Sequence, residues 1–113
     1  MNLRLYIVQR ATAVLMLPLI VGHLVIIFCA SAKGVSAADI LGRTAGSIGW
    51  AVYYGAFVLL TAAHGAIGLR TIAMEWGRLS QRTADALMWG AGLLLLALGL
   101  RAVAAVVAPG SLA

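Results

Sequence analysis

Charge is what this chain lacks most. Lys and Arg together number 8, and Asp and Glu only 3, in 113 residues. Charged residues thus make up 10% of the chain, against about 25% in an average soluble domain. With 64% hydrophobic residues and a mean hydropathy of +1.06, a chain this short cannot hide its apolar surface from water. A soluble globular domain and a disordered tail are both excluded, and the solvent that remains is lipid. The single cysteine, Cys29, excludes a disulfide framework and any cysteine-based zinc or iron–sulfur site. The acidic residues are Asp39, Glu75 and Asp85, and none lies inside a long apolar run. That argues against a carboxylate proton relay and against a hard-metal site, which needs oxygen ligands. There is no glycine-rich nucleotide fingerprint and no nucleophile–base–acid set.

What is present is three long apolar stretches. Residues 11–32 form a run of 22 without charge, residues 44–69 a run of 26, and residues 86–100 a run of 15 that continues past Arg101 to Ala108. A helix needs about 20 apolar residues to cross a bilayer. The reading is an all-α membrane protein, a single domain over 1–113, with three transmembrane helices near 9–31, 46–73 and 84–107. Strands of a membrane barrel would be shorter and would alternate. Lys33 to Ala45 reads as a polar loop with a helix start. Pro109-Gly110-Ser111 stops the last helix. Ala30-Ser31-Ala32 resembles a leader cleavage site, but the run before it is longer than a signal core of roughly 7–15 residues.

The net charge of +5 comes from residues that do not cluster. They sit at the ends of the apolar runs, as charges flanking membrane spans do, so no nucleic-acid partner is expected. Arg4, Arg10, Arg70, Arg78 and Arg82 share one side; Lys33, Arg43 and Arg101 share the other. Positive charge then places the amino terminus inside and the carboxyl terminus outside. Arg101 lies 16 residues after Asp85, about 24 Å along a helix, and reads as a side chain reaching the far interface. Tyr6, Trp76 and Trp89 fit an aromatic belt, and Pro18 is expected to kink the first span.

Both histidines lie inside spans, where an ionisable residue is costly and therefore a functional candidate. One reading is a packing hydrogen bond; the other is axial ligation of haem iron in a helix bundle. Around His64 the residues are small: Ala63, Gly65 and, one turn on, Gly68. A flat porphyrin needs such clearance, as does close helix packing. Arg70 follows within two turns, as an interfacial anchor or a partner of haem propionates. From Arg10 and Arg70 as a common boundary, His64 is about 9 Å deep and His23 about 20 Å. A height difference of roughly 10 Å prevents one haem from using both, so haem binding implies a partner subunit.

Gln9-Arg10-Ala11-Thr12-Ala13 resembles the start of the first membrane helix in the anchors of succinate dehydrogenase and fumarate reductase. His64-Gly65-Ala66-Ile67-Gly68-Leu69-Arg70, followed by Glu75 and Trp76, resembles that family's haem-ligating stretch. The pattern is His-x-x-x-Gly-x-Arg, then an acidic–aromatic pair 11 and 12 residues after the histidine. The resemblance implies a cytochrome b anchor subunit, its three helices forming half of a haem-binding bundle with a second anchor. It implies docking of an iron–sulfur subunit and a flavoprotein, and electron passage to or from a membrane quinone. The chain alone would have no activity. His64 would be an axial ligand of a b haem. Arg10, Arg70, Glu75, Trp76 and Tyr6 would lie near the quinone or the propionates. Gly22-His23 resembles the Gly-His of five-helix fumarate reductase anchors, which implies a second, distal haem. The location implied is a bacterial inner membrane or its mitochondrial equivalent. The competing expectation is a haem-free structural or transport subunit.

Overall fold

The computed structural model describes residues 2–111; Met1 and the last two positions of the expected domain lie outside the described residues. Four helices follow one another: α1 (Leu3–Lys33), α2 (Ala37–Thr44), α3 (Ile48–Glu75) and α4 (Gln81–Val107). No strand occurs among the described residues. Three of the helices, α1, α3 and α4, are long and apolar enough to cross a membrane.

Local chemistry sets where each helix begins and ends. The Asn2 side chain accepts the backbone N–H of Arg4 and starts α1 six residues before the expected point. At about 1.5 Å per residue its 31 residues span about 46 Å, so α1 outruns a hydrocarbon core of about 30 Å. Arg4 and Arg10 are helical residues, because a charge ends an apolar run without ending a helix. The helix continues through Pro18 and stops at Gly34, whose φ of 65° is left-handed. Ser47 and Ser80 cap α3 and α4 by accepting the backbone N–H groups of Trp50 and Thr83.

The expected loop between the first two spans holds a helix of its own. Ser36 and Asp39 form a reciprocal capping box that starts α2. The Ser36 backbone N–H, then its hydroxyl, hold the exposed Asp39 carboxyl below its ordinary pKa. α2 then serves α4. The Thr44 hydroxyl donates to the Val106 carbonyl at 2.7 Å, and the Gly46 N–H donates to the Val107 carbonyl at 2.7 Å. The last carbonyls of a helix lack intrahelical partners, and here a neighbouring element supplies them. Gly46 reaches that position with φ 71°.

α3 is the central element, packed on α1 on one side and α4 on the other. Its buried apolar residues are small or compact: Ala62, Ala66, Ile67 and Ala73. The antiparallel α3–α4 contact is so close that a Cβ on Gly99 would sit 2.5 Å from Val58 Cγ1, and one on Gly92 3.2 Å from Ala66 Cβ. Large apolar side chains instead face outward, among them Leu15, Leu17, Phe28, Leu93 and Leu94. This is the reverse of a water-soluble domain, and it suits spans whose backbone polar groups are satisfied internally while their side chains meet lipid.

Candidate functional site

Helical periodicity gathers the polar residues of α3 on one stripe. At about 100° per residue, Thr61, Gly68, Thr71 and Glu75 all fall within about 60° of His64. α1 presents a matching stripe through Gln9, Thr12, Met16 and His23, spaced at three, four and seven residues. The stripes meet. Thr12 Oγ1 lies 3.1 Å from His64 Nδ1, and Gly68 lets the Gln9 side chain approach, since a Cβ there would be 3.4 Å from Gln9 Nε2. His64 Nε2 has no hydrogen-bond partner among the described residues.

Toward the amino-terminal end of α1 this contact opens into a cavity of about 340 Å³ lined by Tyr6, Gln9, Arg10, Gly68, Thr71 and Ile72. The Arg10 guanidinium stacks over the Tyr6 ring at 5.3 Å from its centroid. Both side chains are exposed at the mouth. Two buried oxygens near this contact, Gln9 Oε1 and Thr61 Oγ1, have no partner among the described residues. Buried polar atoms normally have one.

The structure brings Tyr6 and Arg10 to the cavity beside the His64 face, whereas Glu75 borders a separate cavity of about 210 Å³ with Arg70, Thr71 and Met74. Arg70 is six residues after His64, about 120° from the stripe, and faces α4. Its Nε donates to Asp85 Oδ1 at 2.6 Å, the one ion pair among the described residues. Arg70 is thus a buried residue paired within the chain through its Nε, where the sequence suggested an unpaired cation. Asp85 gave no sign of this in sequence, because it read as the boundary of an apolar run. Trp76 is the C-cap of α3 and 83% exposed, beyond the stripe.

His23 is a separate centre. Its ring meets Tyr54 and Phe57 edge-on, with centroids 5.9 and 5.5 Å away. It borders an apolar cavity of about 280 Å³ lined also by Ile40, Thr44, Val58, Gly99 and Val106, beneath α2. Its Nδ1 is buried without a partner among the described residues. Thr12 is level with His64, and His23 lies 11 residues beyond Thr12, about 16 Å away along α1. The expected separation of about 10 Å was too small because Arg10 and Arg70 are not at one height. Gly22, which read as part of a Gly-His pair, gives room to Tyr53: the Tyr53 hydroxyl donates to the Leu19 carbonyl at 2.6 Å, and a Cβ on Gly22 would sit 3.1 Å from it.

A haem would find much of what it requires at His64. The imidazole has one nitrogen engaged and one without a partner, a glycine lies one turn away on the same face, and a cation and a phenol flank the neighbouring cavity. Thr12, Thr71 and Gln9 belong to this face and had no role in the sequence reading. The signal was available for Thr71, which is seven residues after His64 and so on its face.

These features define an intramembrane helical subunit with one histidine-bearing face left open. Residues 2–104 match the family model of the succinate dehydrogenase/fumarate reductase transmembrane subunit, and the chain belongs to that family. No curated protein and no solved structure matches it.

Proposed function

We propose that this membrane subunit is a haem b-binding anchor that passes electrons between an iron–sulfur subunit and a membrane quinone. The observation that carries the reading is the His64 stripe: an intramembrane imidazole with an unengaged Nε2, beside a cavity edged by Arg10 and Tyr6. His64 would supply one axial nitrogen, and a second anchor subunit the other, because His23 is about 16 Å away along α1. When bound, the haem supplies a one-electron carrier inside the bilayer. The rest of the work falls to side chains. The Arg10 guanidinium would stabilise negative charge developing on a quinone oxygen. The Tyr6 hydroxyl can donate a hydrogen bond to the same oxygen. Glu75, exposed one turn beyond Thr71, borders a neighbouring cavity with Arg70, Thr71 and Met74 and can accept a hydrogen bond there. Trp76 can donate a hydrogen bond but not accept one, and its exposure gives it an interfacial place.

The excess of cations at the Arg10 end supports an inside amino terminus, with the iron–sulfur subunit and flavoprotein docked there. The membrane is that of a bacterial cell or its mitochondrial equivalent. His23 is proposed as the ligand of a second haem, supported by its place inside a span at the edge of an apolar cavity. In a haem-free structural or transport subunit, the bond to Thr12 would serve packing alone. A reduced-minus-oxidised spectrum of the purified complex separates these readings. His64→Ala should abolish a low-spin b-type spectrum, and unchanged haem content in that variant would overturn the assignment.

A further inference from the structure

Resting on His64 as an axial ligand, we infer that Thr12 is its positioning residue, fixing both the tautomer and the orientation of the imidazole. Thr12 is 6% exposed and sits where α1 crosses α3. Its hydroxyl is within hydrogen-bond reach of three atoms: the Val8 carbonyl at 2.8 Å, the Gln9 carbonyl at 3.0 Å and His64 Nδ1 at 3.1 Å. Both carbonyl oxygens can only accept. A hydroxyl has a single proton and two lone pairs. The proton therefore goes to the backbone, where a helical threonine ordinarily sends it. What Thr12 Oγ1 offers His64 is a lone pair, so the donor of that contact is the histidine, through Nδ1–H.

The consequence lies on the other side of the ring. A neutral imidazole with its proton on Nδ1 has its lone pair on Nε2, the nitrogen without a partner among the described residues. The opposite arrangement, with the threonine donating to Nδ1, would put the proton on Nε2 and leave nothing to bind iron. The same bond limits rotation of the ring about its Cβ–Cγ axis, because the Thr12 hydroxyl is itself held by the α1 backbone. A ligand histidine that donates through its second nitrogen is more basic toward the metal, and loss of such a partner costs about 10- to 100-fold in metal affinity. A more basic ligand favours the ferric state and lowers the midpoint potential.

The test is a pair of substitutions in the assembled complex, with His64→Ala as reference. Thr12→Val keeps the shape and deletes the lone pairs; Thr12→Ser keeps the hydroxyl. The readouts are haem retention, midpoint potential and the low-spin electron paramagnetic resonance g-values. Thr12→Val should retain haem about 10- to 100-fold less tightly, with a raised potential and shifted g-values, and Thr12→Ser should restore all three. Wild-type potential and g-values in Thr12→Val, with haem lost in His64→Ala, would overturn the role of Thr12 and spare the ligand assignment. Equal disturbance by Val and Ser would also overturn it, showing that packing rather than the hydroxyl matters. Haem retained in His64→Ala would remove the reading on which the inference rests.

Discussion

The pairing of Arg70 with Asp85 predicts an asymmetry between its two ends. The Arg70 side chain is 6% exposed and the Asp85 side chain 40%. Removing the carboxylate strands a guanidinium inside the α3–α4 contact with its Nε–H unpaired. Removing the cation leaves a carboxylate that water already reaches. Breaking a fully buried pair from one end costs about 3–5 kcal/mol, and exposed pairs are worth about 0–1 kcal/mol. Asp85→Ala falls between these, at about 2–3 kcal/mol, the range for a charge-assisted hydrogen bond lost in burial. Arg70→Met keeps the packing of the aliphatic stem and should cost about 1 kcal/mol. The double variant Arg70→Met with Asp85→Leu should return close to wild type, because apolar replacement of a buried pair is often neutral. Denaturation by titrated SDS in mixed micelles measures all three. High salt should weaken the effect only in part, since Arg70 is buried while Asp85 is reached by water. If Asp85→Ala costs less than Arg70→Met, the cation is not buried at this contact and the reasoning fails.

Three further outcomes follow from the geometry. Gly99→Ala places a methyl 2.5 Å from a Val58 methyl, and a β-branched helical side chain cannot turn aside, so the α3–α4 contact should lose about 1–3 kcal/mol; Val58→Ala should recover most of it, whereas Gly90→Ala, in open space, should be neutral or mildly stabilising. Arg10→Leu should slow quinone-linked turnover more than succinate oxidation by a soluble dye that takes electrons upstream, and equal loss in both assays would indicate failed assembly instead. His23→Ala should remove half of the haem and leave the His64 spectrum intact; a complex with one haem per anchor pair that survives this substitution would make His23 a packing residue.

Composition alone determined the solvent of this protein, because so few charges on so short a chain leave lipid as the only medium that fits. The charge-free runs located the three spans to within a few residues, since crossing a hydrocarbon core demands a minimum apolar length whatever the helices pack against. The two histidines stood out for the same reason, as costly groups in an apolar setting. Two helix starts were misjudged where a charge was taken for a boundary, since Asn2 and Ser80 cap beyond Arg4 and Arg82, whereas the helix start expected between Lys33 and Ala45 is the Ser36–Asp39 box. Partnership was decided only in three dimensions. Arg70 and Arg10 look alike in sequence, each a cation at the end of an apolar run. One faces α4 and is neutralised by Asp85; the other stacks on Tyr6 at the mouth of the His64 cavity. Thr12 and His64 are 52 residues apart, and nothing local to either names the other. Which side of a helix a residue occupies follows from periodicity, but which helix it meets there depends on how the three spans pack, and that is a property of the whole bundle.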